Sequence, residues 1–326
     1  MPSLRVATAN LENLDDVAGA SPPLAERVPC LRAELVRLRA DVLCLQEIHG
    51  QDAPTGPRTL AALDAVVAGT DYGAFHRATT MTAGNEPFRL RNLVVLSRFP
   101  ISSRQQVMHD LAPAPMYQTV TEHPPAAAPK PVRWERPILH CTVDLGGGRA
   151  LHAIVVHLKS RLPTPITGQG PDNFMWATAS GWAEGSFISS MKRVGQALEL
   201  RRLVDAIFDA EPEALVAVAG DFNSDADEVP MQAVCGRVED HGNPALGPRN
   251  LVACEQTVAE PSRYTLLHQG KPNMLDHVVV SRALLQHYRS TEIHNEILHD
   301  ESIAFATDKL YPEPDHAPVV AEFDLP

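Results

Sequence analysis

The sequence predicts an α+β fold in which β-sheets and helices pack in layers as a sandwich. Short, apolar, β-branched segments outnumber helical segments along the chain. They do not alternate regularly with helices, which argues against a β/α barrel. Hydrophobic residues make up 44% of the 326 residues and charged residues 21%, values typical of a folded globular chain.

The predicted strands are short runs of Val, Leu, Ile and Ala that are bounded by Gly, Pro, Asn or Asp, as strands commonly are. A run of three glycines, Gly146-Gly147-Gly148, predicts a hairpin between two of them. Seven segments meet these criteria: 4–11, 41–47, 93–97, 138–144, 150–157, 215–220 and 275–281.

Helical spacing of apolar residues is found in two segments, 30–39 and 190–210. Pro29 is expected in the first turn of the earlier helix, where a missing N–H costs little. Between strands and helices, residues 161–189 contain four glycines and two tryptophans. A loop of this length is usually functional or disordered, so we expect a long loop on the active-site side.

Composition narrows the function classes. No repeat or linker divides residues 1–326, which predicts a single catalytic domain. The net charge of −12 argues against a nucleic-acid coat protein, but carboxylate ligands of an enzyme metal site also add negative charge. The five cysteines lack a C-x-x-C pair, so neither a disulfide framework nor a structural zinc site is expected. The absence of a signal-peptide pattern or long apolar run predicts a cytoplasmic location.

Polar side chains recur where the predicted strands begin or end, which is where a rigid scaffold presents residues to one cleft. Their carboxylate and amide oxygens suit Mg²⁺ or Mn²⁺, with Ca²⁺ as an alternative. Together with histidine, they indicate metal-assisted hydrolysis of a phosphate ester. These residues are Asn10, Glu47, His157, Asp221, Asn223, Asp276, Asp315 and His316.

Eight motifs between Asn10 and His316 resemble, in order, those of the endonuclease/exonuclease/phosphatase superfamily, nearest its pancreatic-type deoxyribonuclease and neutral sphingomyelinase branches. The resemblance implies a four-layer α/β-β/α sandwich, with two mixed β-sheets face to face and the active site at one end. It also implies a divalent-metal-dependent phosphoesterase, most readily a phosphodiesterase. The motifs are TANL, LQE, NLVVLSRFPI, WERPIL, VVHLKS, GDFN, LDHVVVS and PDHAP.

The resemblance assigns metal binding to Glu47 of LQE, with Asn10 of TANL beside it. Asp221 of GDFN matches the residue that orients or deprotonates the attacking water. Asn223 matches the residue that holds a phosphate oxygen. Asp315 of PDHAP is implied either to join the metal ligands or to fix the ring of the neighbouring histidine.

The remaining matches concern the phosphate and the leaving group. His316 corresponds to the histidine that contacts the scissile phosphate, and Asp276 to the Asp that starts a late strand. His157 of HLKS is a candidate general acid, and Arg136 resembles a phosphate-contacting arginine. Asn92 departs from the glycine that is commoner at its position, which leaves its role open.

The substrate stays open at this point. Abasic-site endonucleases usually carry a tyrosine-bearing segment ending in Pro-Asn where this chain has VVHLKS, which weighs against that branch. A small phosphodiester, DNA, RNA or a lipid headgroup all fit, and a nuclease or a non-catalytic binding protein on the same fold are the alternatives. No protein partner is inferred. Lys159, Arg161 and Lys192 are expected to supply positive charge near the cleft, and His277 is expected to be structural.

Overall fold

The computed structural model describes residues 3–171, 174–307 and 310–325. The strands of this part of the chain are β1 Ser3–Leu14, β2 Val42–Ile48, β3 His76–Thr79, β4 Asn92–Ser97, β5 Ile101–Val107, β6 Met116–Tyr117, β7 Lys130–Pro131, β8 Ile138–Gly146, β9 Arg149–His157, β10 Leu215–Asp221, β11 Leu251–Ala253, β12 Leu266–His268, β13 Lys271–Asn273, β14 Asp276–Ser281, β15 Tyr288–Ile293 and β16 Val319–Asp324. The α-helices are α1 Leu24–Leu38, α2 Ala61–Val67, α3 Ala179–Ala210, α4 Val229–Cys235, α5 Val238–His241, α6 Arg282–Leu285 and α7 Ser302–Thr307.

Two six-stranded sheets form the centre of the fold. Their strand orders are β15-β16-β1-β2-β4-β3 and β11-β14-β10-β9-β8-β5. Within each sheet one pair is parallel, β1 with β2 and β9 with β10, and the other pairs are antiparallel. Both sheets are therefore mixed, as the sequence resemblance implied.

Side-chain alternation along the strands builds three apolar layers. In β1, Leu4 and Val6 pack between the two sheets, whereas Ala7 and Ala9 face α1 and α2 on the outside. A third cluster joins α3 and α4 to the outer face of the second sheet. This arrangement is a four-layer α/β-β/α sandwich, which confirms the predicted fold class. All five cysteines are free.

The first helix begins earlier than predicted. It starts at Leu24, after Pro23, so Pro29 lies inside the helix rather than in its first turn. The buried face of α1 carries Arg27 and three leucines, and the arginine interrupts the apolar pattern that would have revealed the first turns. An interior proline removes one backbone hydrogen bond and crowds the preceding turn, which is why the sequence favoured a first-turn position for Pro29.

The third helix is also longer than predicted and takes up the end of the expected 161–189 loop. It starts at Ala179, where the Thr178 side chain accepts a hydrogen bond from the Gly181 N–H. Glycine disfavours helix by about 1 kcal/mol relative to alanine, so Gly181 and Gly185 obscured this segment in the sequence. Packing requires them, because a Cβ on Gly185 would lie 2.6 Å from both the Thr164 carbonyl oxygen and the Trp176 ring. Residues 172 and 173 of the predicted loop lie outside the described residues.

Glu34 on α1 gives the fold a pH-dependent stability. Burial, reinforced by Glu313 and Glu296, raises the pKa of its carboxyl from 4.5 to about 7. Because the folded chain then holds the proton more tightly than the unfolded chain, stability falls as pH rises through this window. We expect Glu34→Gln to raise the free energy of unfolding by about 1–3 kcal/mol at about pH 8, and to change it little at about pH 4.

Urea unfolding at the two pH values measures this effect. Glu26→Gln is the matched control, since Glu26 lies on the same helix and is exposed. Equal stabilisation by both variants at the higher pH would show that general charge reduction, and not burial of Glu34, is responsible.

None of the helices in the described part of the chain combines the length and the apolar character needed to cross a membrane.

Candidate active site

The site lies where strands of the second sheet end side by side. Asp221 is the last residue of β10, and in the sheet register it pairs with His157 of β9 and with Asp276 of β14. From the facing sheet, the Asn10 amide donates a hydrogen bond to Asp221 Oδ2 at 3.2 Å. Both sheets therefore contribute side chains to one cluster at one end of the sandwich.

Asp221 is held by several donors and is almost fully buried. The Asn223 N–H donates to Oδ1 at 2.8 Å, and the Asn223 amide donates to Oδ2 at 3.0 Å. Burial, followed by the charge of Asp276, raises the pKa of the Asp221 carboxyl to about 7. A carboxylate with a pKa close to neutrality is well suited to accept a proton from water. The Asn223 amide also donates to the Leu158 carbonyl, so in this conformation it positions Asp221.

His316 and Asp276 form a buried pair next to Asp221. The Nδ1 atom of His316 lies 2.6 Å from Asp276 Oδ2. Although burial alone would lower it, Asp276 and then Asp221 raise the pKa of His316 well above its ordinary value, so the ring is an imidazolium at neutral pH. The resemblance offered Asp315 either as a metal ligand or as the residue that fixes this ring, and in the described part of the chain it is Asp276 that bonds the ring.

Glu47 occupies a β-bulge near the end of β2. The pairing of β2 with β4 shifts register between Leu45 and Ile48, and Glu47 has a left-handed backbone with φ of 61°. Bulges redirect side chains, and here the carboxylate is turned into the cluster. Its Oε2 accepts the Asn13 N–H at 2.9 Å, and its Oε1 lies 3.5 Å from His157 Nε2.

A second group of carboxylates surrounds Asp315. The Asp315 N–H donates to Glu12 Oε2 at 3.2 Å. Burial and then Asp315 raise the pKa of Glu12 to about 8, against the opposing charge of Arg27. Burial also raises the pKa of Asp315 to about 6, with Glu47 adding to the rise and His316 opposing it. The cleft therefore contains more negative charge than its protein cations balance.

Glu12 is a site residue that the sequence analysis missed. The available signal was its closeness to Asn10 in the chain, since strand alternation does not apply where β1 shifts register and Glu12 has a left-handed backbone with φ of 43°. The Asn10 side chain confirms the proximity, since its Oδ1 accepts the Glu12 N–H at 3.0 Å.

His157 and Arg136 bring positive and neutral groups to the same cluster. His157 Nε2 lies 3.3 Å from Asp221 Oδ2. Burial and then the charge of Arg136 lower the pKa of His157 well below its ordinary value, so its ring is neutral. Arg136 is 7% exposed, and its Nη1 is buried without a hydrogen-bond partner among the described residues. A buried, unpaired guanidinium nitrogen beside two acids marks a place for an anionic ligand.

Three cations expected at the cleft are used differently. Lys192 pairs with Glu135, and Arg161 donates to Asp225 at 2.7 Å as well as to a second carboxylate. The Lys159 ammonium donates to backbone carbonyls of the residues that follow it, and burial lowers its pKa to about 8. Lys159 and Arg161 therefore hold the loop after β9 in place, and Lys192 links α3 to the segment before β8.

His277 has the structural position that the sequence analysis expected. It is fully buried on the face of β14 opposite to Asp276, with Nδ1 2.5 Å from Glu255 Oε1 and Nε2 2.8 Å from the Ser224 carbonyl. Both ring nitrogens are thus bonded within the protein.

The donors in the cleft fit a divalent metal ion. Among the described residues, Asp221, Asp276 and His316 each place a potential ligand atom within 4.8 Å of the others, and while His316 is protonated only the two carboxylates can bind a metal ion. Asp276 Oδ1 is buried and has no hydrogen-bond partner among the described residues. Burial is the main cause of the raised pKa values of Glu12 and Asp315, and neighbouring carboxylates add to it. Hard oxygen donors with unbalanced charge are what Mg²⁺ and Mn²⁺ require.

Fold and site together define a class, the two-sheet sandwich proteins with a cluster of carboxylate, amide and histidine side chains at one end of the facing sheets. The model of the Endonuclease/Exonuclease/phosphatase family matches residues 7–303, and the chain belongs to this family. Members of the family hydrolyse phosphoester bonds and generally depend on divalent metal ions. The resemblance stated from the motifs is thereby confirmed.

Solved structures share the fold across almost the whole chain. Truncated TDP2 from Caenorhabditis elegans is 16% identical with a TM-score of 0.58, covering 99% of this chain and 98% of that one. A family member from Bacteroides thetaiotaomicron is 15% identical with a TM-score of 0.58, covering 99% and 96%. The 3′ phosphatase NExo from Neisseria, bound to a product DNA hairpin, is 17% identical with a TM-score of 0.54, covering 99% and 100%. Identities this low establish the fold alone. No curated protein matches by sequence.

Proposed function

We propose that this protein is a divalent-metal-dependent phosphodiesterase that hydrolyses P–O bonds by in-line attack of water. The observation that carries the proposal is the contact of Asp221 with both His157 and Asn10, next to the His316–Asp276 pair. Because the two sheets supply these residues jointly, we propose residues 1–326 as one catalytic domain.

Asp221 is the proposed base. Its pKa of about 7 lets it take a proton from water near neutral pH, and Asn10 and Asn223 fix its orientation. His316, held as an imidazolium by Asp276, is the proposed group that contacts the phosphoryl oxygens and protonates the leaving oxygen. The neutral ring of His157 makes it the weaker proton donor of the two histidines.

Glu47, Asn10 and Asp315 are the proposed metal-holding residues, and Glu12 joins them on the evidence of its contact with Asp315. A bound Mg²⁺ or Mn²⁺, with Ca²⁺ as an alternative, supplies neutralisation of phosphate charge and a lower pKa for water. The unpaired Nη1 of Arg136 is available for a non-bridging phosphate oxygen.

Metal removal tests the proposal. We expect hydrolysis of bis(p-nitrophenyl) phosphate with Mg²⁺ or Mn²⁺, a fall to the uncatalysed background with EDTA, and recovery on adding excess metal. Plasmid DNA and RNA in the same assay test the alternative that the protein is a nuclease. Thermal unfolding with and without metal provides a reading independent of turnover, since a ligand that binds only the folded state stabilises it.

Two outcomes would contradict the proposal. Turnover of p-nitrophenyl acetate without any turnover of phosphodiesters would indicate another hydrolase. Metal-dependent stabilisation with no turnover of diester or nucleic acid would favour a non-catalytic binding protein on this fold.

A further inference from the structure

A strained loop brings Arg91 to the rim of the site. Arg91 immediately precedes β4 and has a left-handed backbone with φ of 56°. This conformation is uncommon for residues other than glycine and is retained only when surrounding contacts impose it. Contacts around Arg91 must therefore hold this backbone conformation at the edge of the cleft.

The contacts come from Asn92, the residue that replaces the family's commoner glycine. Its side chain is fully buried, with Oδ1 accepting the Phe88 N–H at 2.7 Å and the Thr80 hydroxyl at 3.2 Å. Its Nδ2 donates to the carbonyls of Phe88 at 2.7 Å and Ile48 at 2.9 Å. Asn92 thus closes the loop that carries Arg91 and ties it to the residue after Glu47. A glycine could make none of these bonds.

The Arg91 side chain points at the cluster and is only partly used. Its Nε donates to Asn13 Oδ1 at 3.2 Å and lies 4.0 Å from Glu47 Oε1, beyond hydrogen-bond distance. Within the described ranges, no protein acceptor is found for its two terminal nitrogens. The charge of Arg91 contributes to the lowered pKa of both His157 and Arg136, which places it on the same cleft.

Arg89, on the same loop, shows how an arginine there pairs with a surface carboxylate. Arg89, two residues earlier, lies 2.7 Å from Asp52 and is 65% exposed, so it is an ordinary surface ion pair. Arg91 is 44% exposed, and in the part of the chain that the structure describes its partner within 3.5 Å is Asn13. Its ion pair with Glu47 is long, at 4.0 Å, and is made through Nε and not through the terminal nitrogens.

We infer that Arg91 is a substrate-binding residue whose terminal nitrogens hold a non-bridging phosphate oxygen at the mouth of the cleft, and that Asn92 positions it. The inference rests on the proposed phosphodiesterase function and extends it. Arg136 lies deeper, so the two arginines approach the phosphoryl group from the inside and from the rim. Arginine presents two parallel N–H donors, which suits an anionic oxygen pair.

The test compares Arg91→Gln and Arg91→Lys with the matched control Arg89→Gln, which removes a charge from the same loop. For bis(p-nitrophenyl) phosphate with Mn²⁺, Arg91→Gln is expected to lower kcat/KM by about 10- to 100-fold, mainly through KM. Arg91→Lys should recover part of this loss, and Arg89→Gln should match the unchanged protein. Equal KM values for Arg91→Gln and Arg89→Gln would overturn the inference.

Binding of inorganic phosphate, measured by calorimetry in the presence of Mn²⁺, separates this inference from the proposed function. If the unchanged protein has no turnover but Arg91→Gln still binds phosphate several-fold more weakly than Arg89→Gln, the proposed function fails and the anion site stands. Equal phosphate affinities would overturn the anion site whether or not turnover is seen.

The positioning role of Asn92 is tested with a double-mutant cycle. Asn92→Gly is expected to raise KM in the unchanged protein but to add little in the Arg91→Gln background, because Arg91 is then already lost. Additive effects on KM would show that Asn92 does not act through Arg91.

Discussion

Replacing Asp221 by asparagine is expected to abolish turnover while leaving the protein as stable as before, or more stable. Asp221 is the proposed base. When its carboxylate is replaced by an amide, the lone pair that would accept the proton from water is lost. General base catalysis contributes about 10²–10⁴-fold, so kcat should fall by that factor or more. The side-chain volume is unchanged, but one carboxylate oxygen that accepts from the Asn10 and Asn223 amides is replaced by a donor, which offsets part of the electrostatic gain.

The stability of Asp221→Asn is expected to stay the same or rise, and the reason is electrostatic. Burial and the neighbouring Asp276 raise the pKa of Asp221 to about 7, so the folded metal-free protein holds a disfavoured anion above that pH. A folded pKa above the unfolded value means that stability is lost as pH rises through this window. Asparagine removes the charge, so Asp221→Asn in EDTA should equal or exceed the unchanged protein in Tm at about pH 8, with a smaller difference at about pH 5.

Steady-state hydrolysis of bis(p-nitrophenyl) phosphate and thermal unfolding measure the two effects. Asp227→Asn is the control, because Asp227 is exposed in the loop that follows Asp221. If Asp221→Asn lost activity together with a lower Tm in EDTA, the loss would reflect damage to the fold and would not support a role as base.

Glu255→Ala is expected to have the largest effect on stability. Glu255 and His277 form an ion pair in which both side chains are almost completely buried, at 1% and 0% exposure. Although burial lowers it, Glu255 and the Ser224 carbonyl raise the pKa of His277 above its ordinary value, so the ring is protonated more readily in the folded than in the unfolded chain. Removing one partner from such a pair leaves the other buried and unpaired, which costs about 3–5 kcal/mol.

The pH dependence has the sign of a histidine with a raised pKa. The contribution of the pair is complete below the ordinary histidine pKa of about 6.5 and is lost as pH rises through the folded value. Urea unfolding should therefore show a larger penalty for Glu255→Ala at about pH 6 than at about pH 9. Glu260→Ala, at an exposed site nearby, is the control. A penalty equal to that of Glu260→Ala would show that the buried pair adds nothing to stability.

Glu255→Ala also distinguishes the roles of two adjacent residues in β14, Asp276 and His277. Asp276 faces the cleft and bonds His316, whereas His277 faces the opposite side of β14 and bonds Glu255. Below its unfolding temperature, Glu255→Ala should keep most of its turnover. A loss comparable to that of Asp221→Asn would place His277 in the reaction and contradict its structural assignment.

Much of the site was predictable because it is built from strand ends. Apolar runs locate buried strands, and a polar residue at the end of such a run has few other reasons to be there. Asp221, His157 and Asp276 meet because β9, β10 and β14 are neighbours whose register brings these residues level. The order of the motifs, through their resemblance to the family, had already implied that these residues share one site.

Other features could not be predicted because no local sequence pattern indicated them. The edge strand β5 is polar and largely exposed and the edge strand β15 is mostly polar and half-buried, so both lack the apolar signal of central strands. Helix α3 begins at Ala179 because the loop before it packs closely against glycines that by themselves disfavour a helix. Tertiary contacts outweighed local propensity in both cases.

The sequence by itself determined the layered α+β class, the central strands and the residues at their ends, since these depend on periodicity and motif order. Only the tertiary structure decided how those residues are used. The His316 ring bonds Asp276 and not Asp315 in the described structure, and Arg161 forms ion pairs with carboxylates of its own chain. The tertiary structure also turned Arg91 toward the cleft. The physical reason is that partner choice depends on distance and burial, which strand pairing and left-handed turns set across sequence separations that no local pattern records.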